Sequence, residues 1–169
     1  MINNFHTSSE IPTTDKKPNL VIPESDKTET KAFKSKINED NDDVLILDNG
    51  AIIEISSGFL GYLGYRKNCI VYKSGYGWKI WIEGKGTFLC DILKEPIHLA
   101  TFDVNEVSIS KVSDNGELIF LTNGSIYKVS YQSYETTLWL GYSSVLLIDD
   151  HQIINLDERS EIIDVIRIK

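Results

Sequence analysis

An internal repeat constrains the fold of this 169-residue chain more than any other feature. Residues 35–56 (SKINEDNDDVLILDNGAIIEIS) align with residues 110–130 (SKVSDNGELIFLTNGSIYKVS) when one residue of slack is allowed. Each segment begins with Ser-Lys and an aliphatic residue, passes an Asp/Asn turn and an apolar run, and turns again at Asn-Gly. Such a repeat predicts one structural unit that occurs twice.

The match continues downstream of these segments. The further pairs are residues 63–65 with 140–142, residues 69–71 with 146–148, and residues 88–94 with 161–169, in which Asp91 lies opposite Asp164. The chain therefore reads as two copies of a unit of about 64 residues that follow a polar tail. We predict a tail over residues 1–30, a first copy over 31–97 and a second copy over 98–169.

Each copy has the sequence pattern of consecutive β-strands. Asn-Gly at residues 49–50 and 123–124 lies between β-branched runs, which predicts hairpins with type I′ turns. Ile53 and Ile55 alternate with Glu54, as in a strand with one buried face. An apolar stripe at helical spacing is missing throughout, so we expect little helix.

Five or six short strands in about 60 residues, with a long loop after the third, are typical of an SH3-like small barrel. We therefore predict an all-β protein of tandem duplicated SH3-like small β-barrels after a disordered N-terminal tail. A unit of this size is marginal alone, so we expect the copies to pack together, with strands in residues 99–112 as the join. The alternative is a single larger barrel or sandwich in which the halves share a sheet.

The order NGSIYKV, LWLGYSSVLLIDD and INLDERSEIIDVIRIK resembles a module of uncharacterised bacterial proteins with SH3-like small β-barrels. The resemblance covers residues 118–169 well and the first copy loosely. The first copy has Tyr62 where the module has the equivalent of Trp139, and it inserts KSGYGWKIWIEGKG. The resemblance implies a barrel fold, and it brings no active site with it.

The first 30 residues are dominated by Ser, Thr, Pro, Lys, Asp and Glu, a composition that cannot offset the entropy of ordering. They lack the basic start and apolar stretch of an ordinary secretory signal. Many injected bacterial effectors have a similarly polar start. We therefore expect a cytoplasmic protein, or one exported by a specialised secretion system through the tail. Nothing in the sequence approaches the roughly 18 to 20 apolar residues of a membrane span.

The net charge of −8 makes a basic protein partner more favourable than a nucleic acid, because an acidic body repels phosphate. Residues 31–97 carry 9 basic and 9 acidic side chains, whereas residues 98–169 carry 5 and 11. Any electrostatic attraction of a partner should therefore come from the C-terminal half.

Tests for catalytic and metal-binding motifs give no site. Cys69 and Cys90 lie apart in apolar runs, which favours small buried side chains over a metal site or disulfide. Gly-Lys-Gly-Thr at residues 84–87 lies between strands and lacks the helix N-terminus of a phosphate loop. The carboxylates and imidazole of residues 149–151 are neighbours on a hairpin and would diverge. We expect no metal, no cofactor and no enzymatic activity.

Aromatic residues are concentrated in the long loops of both copies, and this allows two interpretations. They either plug the barrel ends and join the copies, or they form a groove for an extended peptide. Trp78 and Trp81 are three residues apart on a predicted strand, so they should point to opposite faces. One of them is therefore expected outside its barrel core or between the barrels.

Our main hypothesis is a non-enzymatic binding protein, either an effector or an immunity or antitoxin-like protein, that presents aromatic loops and an acidic face to a protein partner. The candidate contacts are Tyr62, Tyr65, Trp78, Trp81, Tyr134, Trp139 and Tyr142, with Asp149, Asp150, Asp157 and Glu158 as an acidic rim. The alternative is a nucleic-acid-binding tandem small-barrel protein that uses the lysines of the first copy. A third hypothesis is an enzyme with a cleft between the copies.

Overall fold

The structure is a computed structural model that describes residues 32–75, 77–98, 102–131, 133–158 and 161–169. These residues form twelve β-strands and one short helix. The predicted disordered tail, residues 1–30, lies outside the described residues. The strands are β1 Ala32–Asn41, β2 Val44–Leu47, β3 Ile52–Ser57, β4 Asn68–Ser74, β5 Gly77–Ile82, β6 Gly86–Lys94, β7 Val104–Val112, β8 Leu118–Leu121, β9 Ile126–Val129, β10 Ser144–Ile148, β11 Gln152–Asn155 and β12 Ile163–Arg167, and the helix is α1 Ser133–Thr136.

The strands close into two barrels that have the same topology. The first six follow the order β1-β2-β3-β6-β5-β4, and the last six follow β7-β8-β9-β12-β11-β10, each closed by pairing of its first and fourth strands. All pairs are antiparallel. Closure leaves no open sheet edge. The prediction of an all-β protein with two tandem barrels is confirmed.

Shared irregularities show which residues correspond in the two barrels. The first strand of each is interrupted by a bulge, after Ile37 and after Ile109, and the bulged strand pairs with Leu47 or Leu121. The same strands donate a matching hydrogen bond to the loop before the fourth strand, because Ile37 N donates to Lys67 O and Ile109 N donates to Ser143 O. These contacts show that Ile37 and Ile109 occupy equivalent positions in the two barrels. The strand registers then identify the equivalent residue, here called the counterpart, at the other strand positions of each barrel.

A separate hydrophobic core fills each barrel. Inward residues alternate with outward ones as the sequence predicts, so Ile53 and Ile55 are buried while Glu54 is exposed. Cys69 and Cys90 are free and buried in the first core, where their counterparts in the second core are valines. The expectation that both cysteines act as small hydrophobic side chains is confirmed.

The Asn-Gly hairpins form at both predicted positions, but their turn type differs from the prediction. Within each of these turns only the glycine has a positive φ, which is 82° for Gly50 and 87° for Gly124. The Asn side chain instead stabilises the turn, since Asn49 Oδ1 accepts a hydrogen bond from Ala51 N and Asn123 Oδ1 accepts one from Ser125 N. Each is therefore an Asx turn followed by one left-handed glycine, and no type I′ turn forms there.

A third hydrophobic cluster joins the two barrels, and it consists of four pairs of counterparts. The pairs are Ala32 with Val104, Ile70 with Leu146, Tyr72 with Ile148, and Trp81 with Ile154. All eight side chains lie on the outer faces of their barrels. Because each barrel uses the same surface, the contact has the character of a two-fold, isologous dimer interface within one chain.

Polar contacts at the edges of this interface obey the same symmetry. Lys34 Nζ donates to Gln152 Oε1 at 3.1 Å, and Lys79 Nζ lies 2.9 Å from Glu106 Oε1. Lys34 is the counterpart of Glu106, and Gln152 is the counterpart of Lys79. The two contacts therefore join the same pair of equivalent positions. In one contact the lysine is Lys34 on β1, and in the other it is Lys79 on β5.

The residue alignment proposed from sequence is correct around the Asn-Gly turns and wrong elsewhere. Ile37 corresponds to Ile109, not to Val112, because the hairpin between the first two strands is two residues longer in the second barrel. Trp139 corresponds to Leu63, not to Tyr62. Asp91 corresponds to Ile166 and not to Asp164. Insertions of different length shift each pairing by one to three residues.

Candidate functional site

The loop between β3 and β4 repeats the triplet Gly-aromatic-Leu, in the sequence GFLGYLGY of residues 58–65. Each glycine of the repeat has positive φ. Leu60 and Leu63 are buried in the first core. Phe59, Tyr62 and Tyr65 are 87–89% exposed. The period of three thus fixes the loop through its leucines while its aromatic rings point to solvent.

Several contacts hold this first loop in place. Lys85 Nζ donates to Leu60 O at 3.3 Å, and the guanidinium of Arg66 pairs with the Asp48 carboxylate. Gly58 has a φ of 107°, and a β-carbon there would lie 2.9 Å from the Phe88 ring. The loop therefore depends on glycine at this position.

The equivalent loop between β9 and β10 has a different anchor. Trp139 lies in the second core with 4% exposure, and α1 lies just before it, where Thr136 Oγ1 donates to Gly116 O. Tyr131 and Tyr134 are each 80% exposed. Tyr142 is 86% exposed although its backbone has a φ of 73°, a left-handed conformation that is costly for a tyrosine.

The three tryptophans of the predicted contact set do not lie on the loop surface. Trp78 packs against the first core, and Trp81 is 1% exposed between the barrels. Their opposite orientation was predicted from the spacing and is confirmed. Trp139 plugs the second barrel, as the structural interpretation of the loop aromatics proposed. Trp81 and Trp139 are therefore inaccessible to a partner in this structure.

Four tyrosines of the predicted set do lie on the surface, in two groups. Tyr62 and Tyr65 belong to the first loop, and Tyr134 and Tyr142 to the second. Sequence reasoning omitted from the contact set Phe59, Tyr131, Leu138 and Leu140, which are 58–89% exposed in the same loops. The Gly-aromatic-Leu repeat in the sequence could have identified Phe59 as an exposed residue equivalent to Tyr62.

Most of the predicted acidic rim has a structural role. Asp149 Oδ1 accepts a hydrogen bond from Asp103 N at 2.8 Å, and Asp157 Oδ2 accepts one from Ser144 N at 2.8 Å. Asp149 and Asp150 both have positive φ at the tip of the β10–β11 hairpin, which is the type I′ signature. Glu158 is exposed. These carboxylates contribute charge to the surface, and those of Asp149 and Asp157 also accept hydrogen bonds from backbone amides of other segments.

Asp150 connects the acidic hairpin to the barrel. Its carboxylate accepts a hydrogen bond from Tyr127 OH at 2.8 Å and pairs with Arg167 at 2.8 Å. The Tyr127 hydrogen bond and the Arg167 guanidinium hold the pKa of Asp150 below its usual value. Asp150 is thus a charged group at neutral pH with two fixed partners.

The described residues contain no group of three or more His, Cys, Asp or Glu side chains arranged to hold a metal ion. Among the same residues, no helix is long and apolar enough to cross a membrane.

Comparisons with known proteins give no match: no family model fits the chain, and neither the curated proteins nor the solved structures contain a significant relative.

Proposed function

We propose that this protein is a non-enzymatic binding protein that presents the aromatic loops of its two barrels to a protein partner. The observation that carries the proposal is that equivalent loops of both barrels expose aromatic rings by 80–89%. These rings are Phe59, Tyr62 and Tyr65 in the first loop and Tyr131, Tyr134 and Tyr142 in the second. Clusters of exposed aromatic side chains mark interaction sites, since each ring buries a large area at small entropic cost.

Folding stability does not account for these rings. In the first loop the barrel uses Leu60 and Leu63 for packing, whereas Phe59, Tyr62 and Tyr65 lie outside the first core and are exposed. In the second loop Tyr142 keeps an unfavourable backbone conformation that glycine would adopt without strain. An exposed residue that lowers the stability of the fold is expected at a position where it is needed for binding, and this supports a binding role for the loop aromatic residues.

Charge favours a basic partner for the second barrel. Residues 98–169 carry 11 acidic and 5 basic side chains, a net charge of −6. The second aromatic loop carries Glu135, whose carboxylate accepts a hydrogen bond from Glu161 N. An acidic surface around exposed rings attracts a basic protein and repels nucleic acid.

The proposal is tested by pull-down from the source cells with the full-length chain as bait. Tyr62→Ala and Tyr134→Ala, alone and combined, should reduce the captured partner while the midpoint of thermal unfolding stays unchanged. Ile166→Ala is a matched control, because its side chain is 58% exposed on β12, outside both loops. Equal capture by the wild type and the doubly substituted loop variant would contradict the proposal.

An effector and an immunity or antitoxin-like protein remain alternative biological roles for such a binding protein. A secretion assay of a reporter fused to residues 1–30 separates them, because only an effector requires export. Co-expression with a toxin encoded beside this gene tests the immunity role, which predicts rescue of growth.

Nucleic-acid binding is the second candidate function, and the cations beside the first aromatic loop favour it. Arg66 and Lys67 end this loop, and Lys85 contacts it. Aromatic rings beside cations suit stacked bases and phosphates. Retardation of oligonucleotides at low salt, lost in Lys67→Glu, would support this function, and no retardation at low salt would exclude it.

A further inference from the structure

Each barrel has an outer face on the side away from the interface between the barrels. The interface cluster lies on the first, fourth and fifth strands of each barrel. Because of the strand order around each barrel, the outward side chains of β2, β3 and β6 lie on the far side of the first barrel. Those of β8, β9 and β12 lie on the far side of the second. We call these surfaces, with the adjoining ends of β1 and β7, the first and second distal faces. They point away from each other, at the two ends of the molecule.

The second distal face carries an apolar row across three strands. Phe120 pairs with Ile126, and Ile168 N donates to Ile126 O. Ile166 and Ile168 are 58% and 56% exposed. Lys111 Nζ lies 4.5 Å from the centre of the Phe120 ring, which holds this ammonium beside the row. A solvated face of an antiparallel sheet is ordinarily polar, so an exposed apolar row of this kind indicates an interaction surface.

The first distal face has the same apolar row at counterpart positions. Ile46 pairs with Ile52, as Phe120 pairs with Ile126. Leu93, the counterpart of Ile168, is 57% exposed. Both ends of the molecule therefore present an apolar row of similar form.

The charges around the two rows are opposite. Glu39 is the counterpart of Lys111, and Glu54 is the counterpart of Lys128. All four side chains are exposed. Asp91, which pairs with Glu54 across β3 and β6, adds a third exposed carboxylate to the first face. The first distal face is thus acidic where the second is basic.

Charges at the margins of the faces leave this difference in place. Counterparts there have the same sign, as in Asp43 with Glu117 and Lys94 with Lys169. Asp164 on β12 adds one carboxylate at the margin of the second face, next to β11. The second face therefore remains the more basic of the two.

We propose that this protein associates head to tail with further copies of itself, by contact of the second distal face of one copy with the first distal face of the next. The apolar rows would be buried against each other while lysines of one face meet carboxylates of the other. Contact between two first faces or two second faces would bring like charges together. Because the distal faces point away from each other, the contact is heterologous and extends into chains of copies. This surface is separate from the aromatic loops of the proposed function.

Sedimentation velocity of the full-length chain at low salt tests the proposal, at chain concentrations up to about 1 mM. The mean mass of the wild type should rise with concentration beyond that of two copies. Lys128→Glu places a carboxylate opposite the acidic face, and Leu93→Asp places one in the apolar row of the first face. Each should weaken association at least about tenfold.

A mixture of these two variants separates loss of contact from loss of folding. Lys128→Glu keeps the native first face, and Leu93→Asp keeps the native second face. Each variant alone should be monomeric, whereas an equimolar mixture should form dimers and no larger species. Dimers can form only if both variants are folded.

Matched controls carry the same chemical changes outside both distal faces. Lys36→Glu gives the same net charge as Lys128→Glu, and Lys36 is exposed on β1 at its pairing with β4. Leu138→Asp matches Leu93→Asp, because Leu138 is 58% exposed in the second aromatic loop. Both controls should associate like the wild type.

Four results would each overturn the proposal: a monomeric wild type over the whole concentration range, a wild type that stops at the dimer, association of Lys128→Glu equal to that of Lys36→Glu, or a mixture of two folded variants that does not dimerise. The aromatic loops are tested separately. Tyr62→Ala and Tyr134→Ala should leave self-association unchanged. Ile166→Ala lies on the second distal face and should weaken self-association while partner capture is unchanged, so the two proposals fail separately.

Discussion

The ammonium of Lys79 on the first barrel lies 2.9 and 3.0 Å from the two carboxylate oxygens of Glu106 on the second. The side chains are 18% and 32% exposed, so solvent screens the pair only in part. We expect a coupling free energy of about 0.5–1 kcal/mol in a double-mutant cycle of Lys79→Met and Glu106→Gln, measured by urea unfolding. Additive single effects would show that this ion pair does not hold the barrels together.

Trp139→Ala should destabilise the protein by about 3–5 kcal/mol, because the indole fills the second core at the place that Leu63 takes in the first. Leu63→Ala should cost about 2–5 kcal/mol for the same reason. Urea unfolding at pH 7 measures both. A Trp139→Ala protein of wild-type stability that had lost only partner capture would contradict the plug and restore Trp139 as a contact residue.

Stability should fall as the pH rises above about 9, because two thiols ionise only after unfolding. Burial raises the pKa of both Cys69 and Cys90 to about 12, from 9.0 in the unfolded chain. Each thiol therefore stabilises the fold fully below pH 9, and this contribution declines towards pH 12 by up to about 1.4 kcal/mol per pH unit.

Urea unfolding from pH 7 to 11 measures this decline, and the second barrel supplies the control substitution. Cys69→Val and Cys90→Val place valine where the counterpart core positions already have it. The double variant should keep its stability at pH 7 and show a smaller decline at alkaline pH. The decline should not disappear, because burial also raises the pKa of Tyr72 and Tyr127. An unchanged slope would show that the thiols are accessible in the folded state.

Tyr142→Gly should raise the free energy of unfolding by about 1 kcal/mol, because glycine adopts a φ of 73° without the clash of a β-carbon. Tyr142→Ala keeps the β-carbon and should leave stability close to that of the wild type. Both variants should bind the partner more weakly if Tyr142 is a contact. A destabilised Tyr142→Gly protein would mean that the exposed ring supports the loop, and would weaken the argument from strain.

The architecture was predictable because Asn-Gly turns and alternating apolar residues mark the same strands twice. Asn49 and Asn123 align the two copies correctly at their Asn-Gly hairpins, because these two hairpins are equal in length. Elsewhere the alignment of the two copies is wrong by one to three residues, because the connections between strands differ in length. A slip of one residue reverses which face a strand residue occupies. Trp139 was therefore matched to the exposed Tyr62 although its counterpart is the buried Leu63.

The packing of the barrels against each other was expected, but its symmetry was not visible in the sequence. Ile70 and Leu146 are unremarkable apolar residues in strands that are apolar on both faces. Only the strand registers show that they are counterparts and that both point outward.

Joining the two barrels in one polypeptide makes their association independent of dilution, because the partner surface is always attached. It also removes a restriction that two identical subunits would impose. A true dimer must change both of its equivalent contacts with every mutation, whereas here one edge has a lysine–glutamate pair and the other a lysine–glutamine bond beside a phenylalanine. Covalent fusion therefore allows the two equivalent edges of one contact to carry different residues.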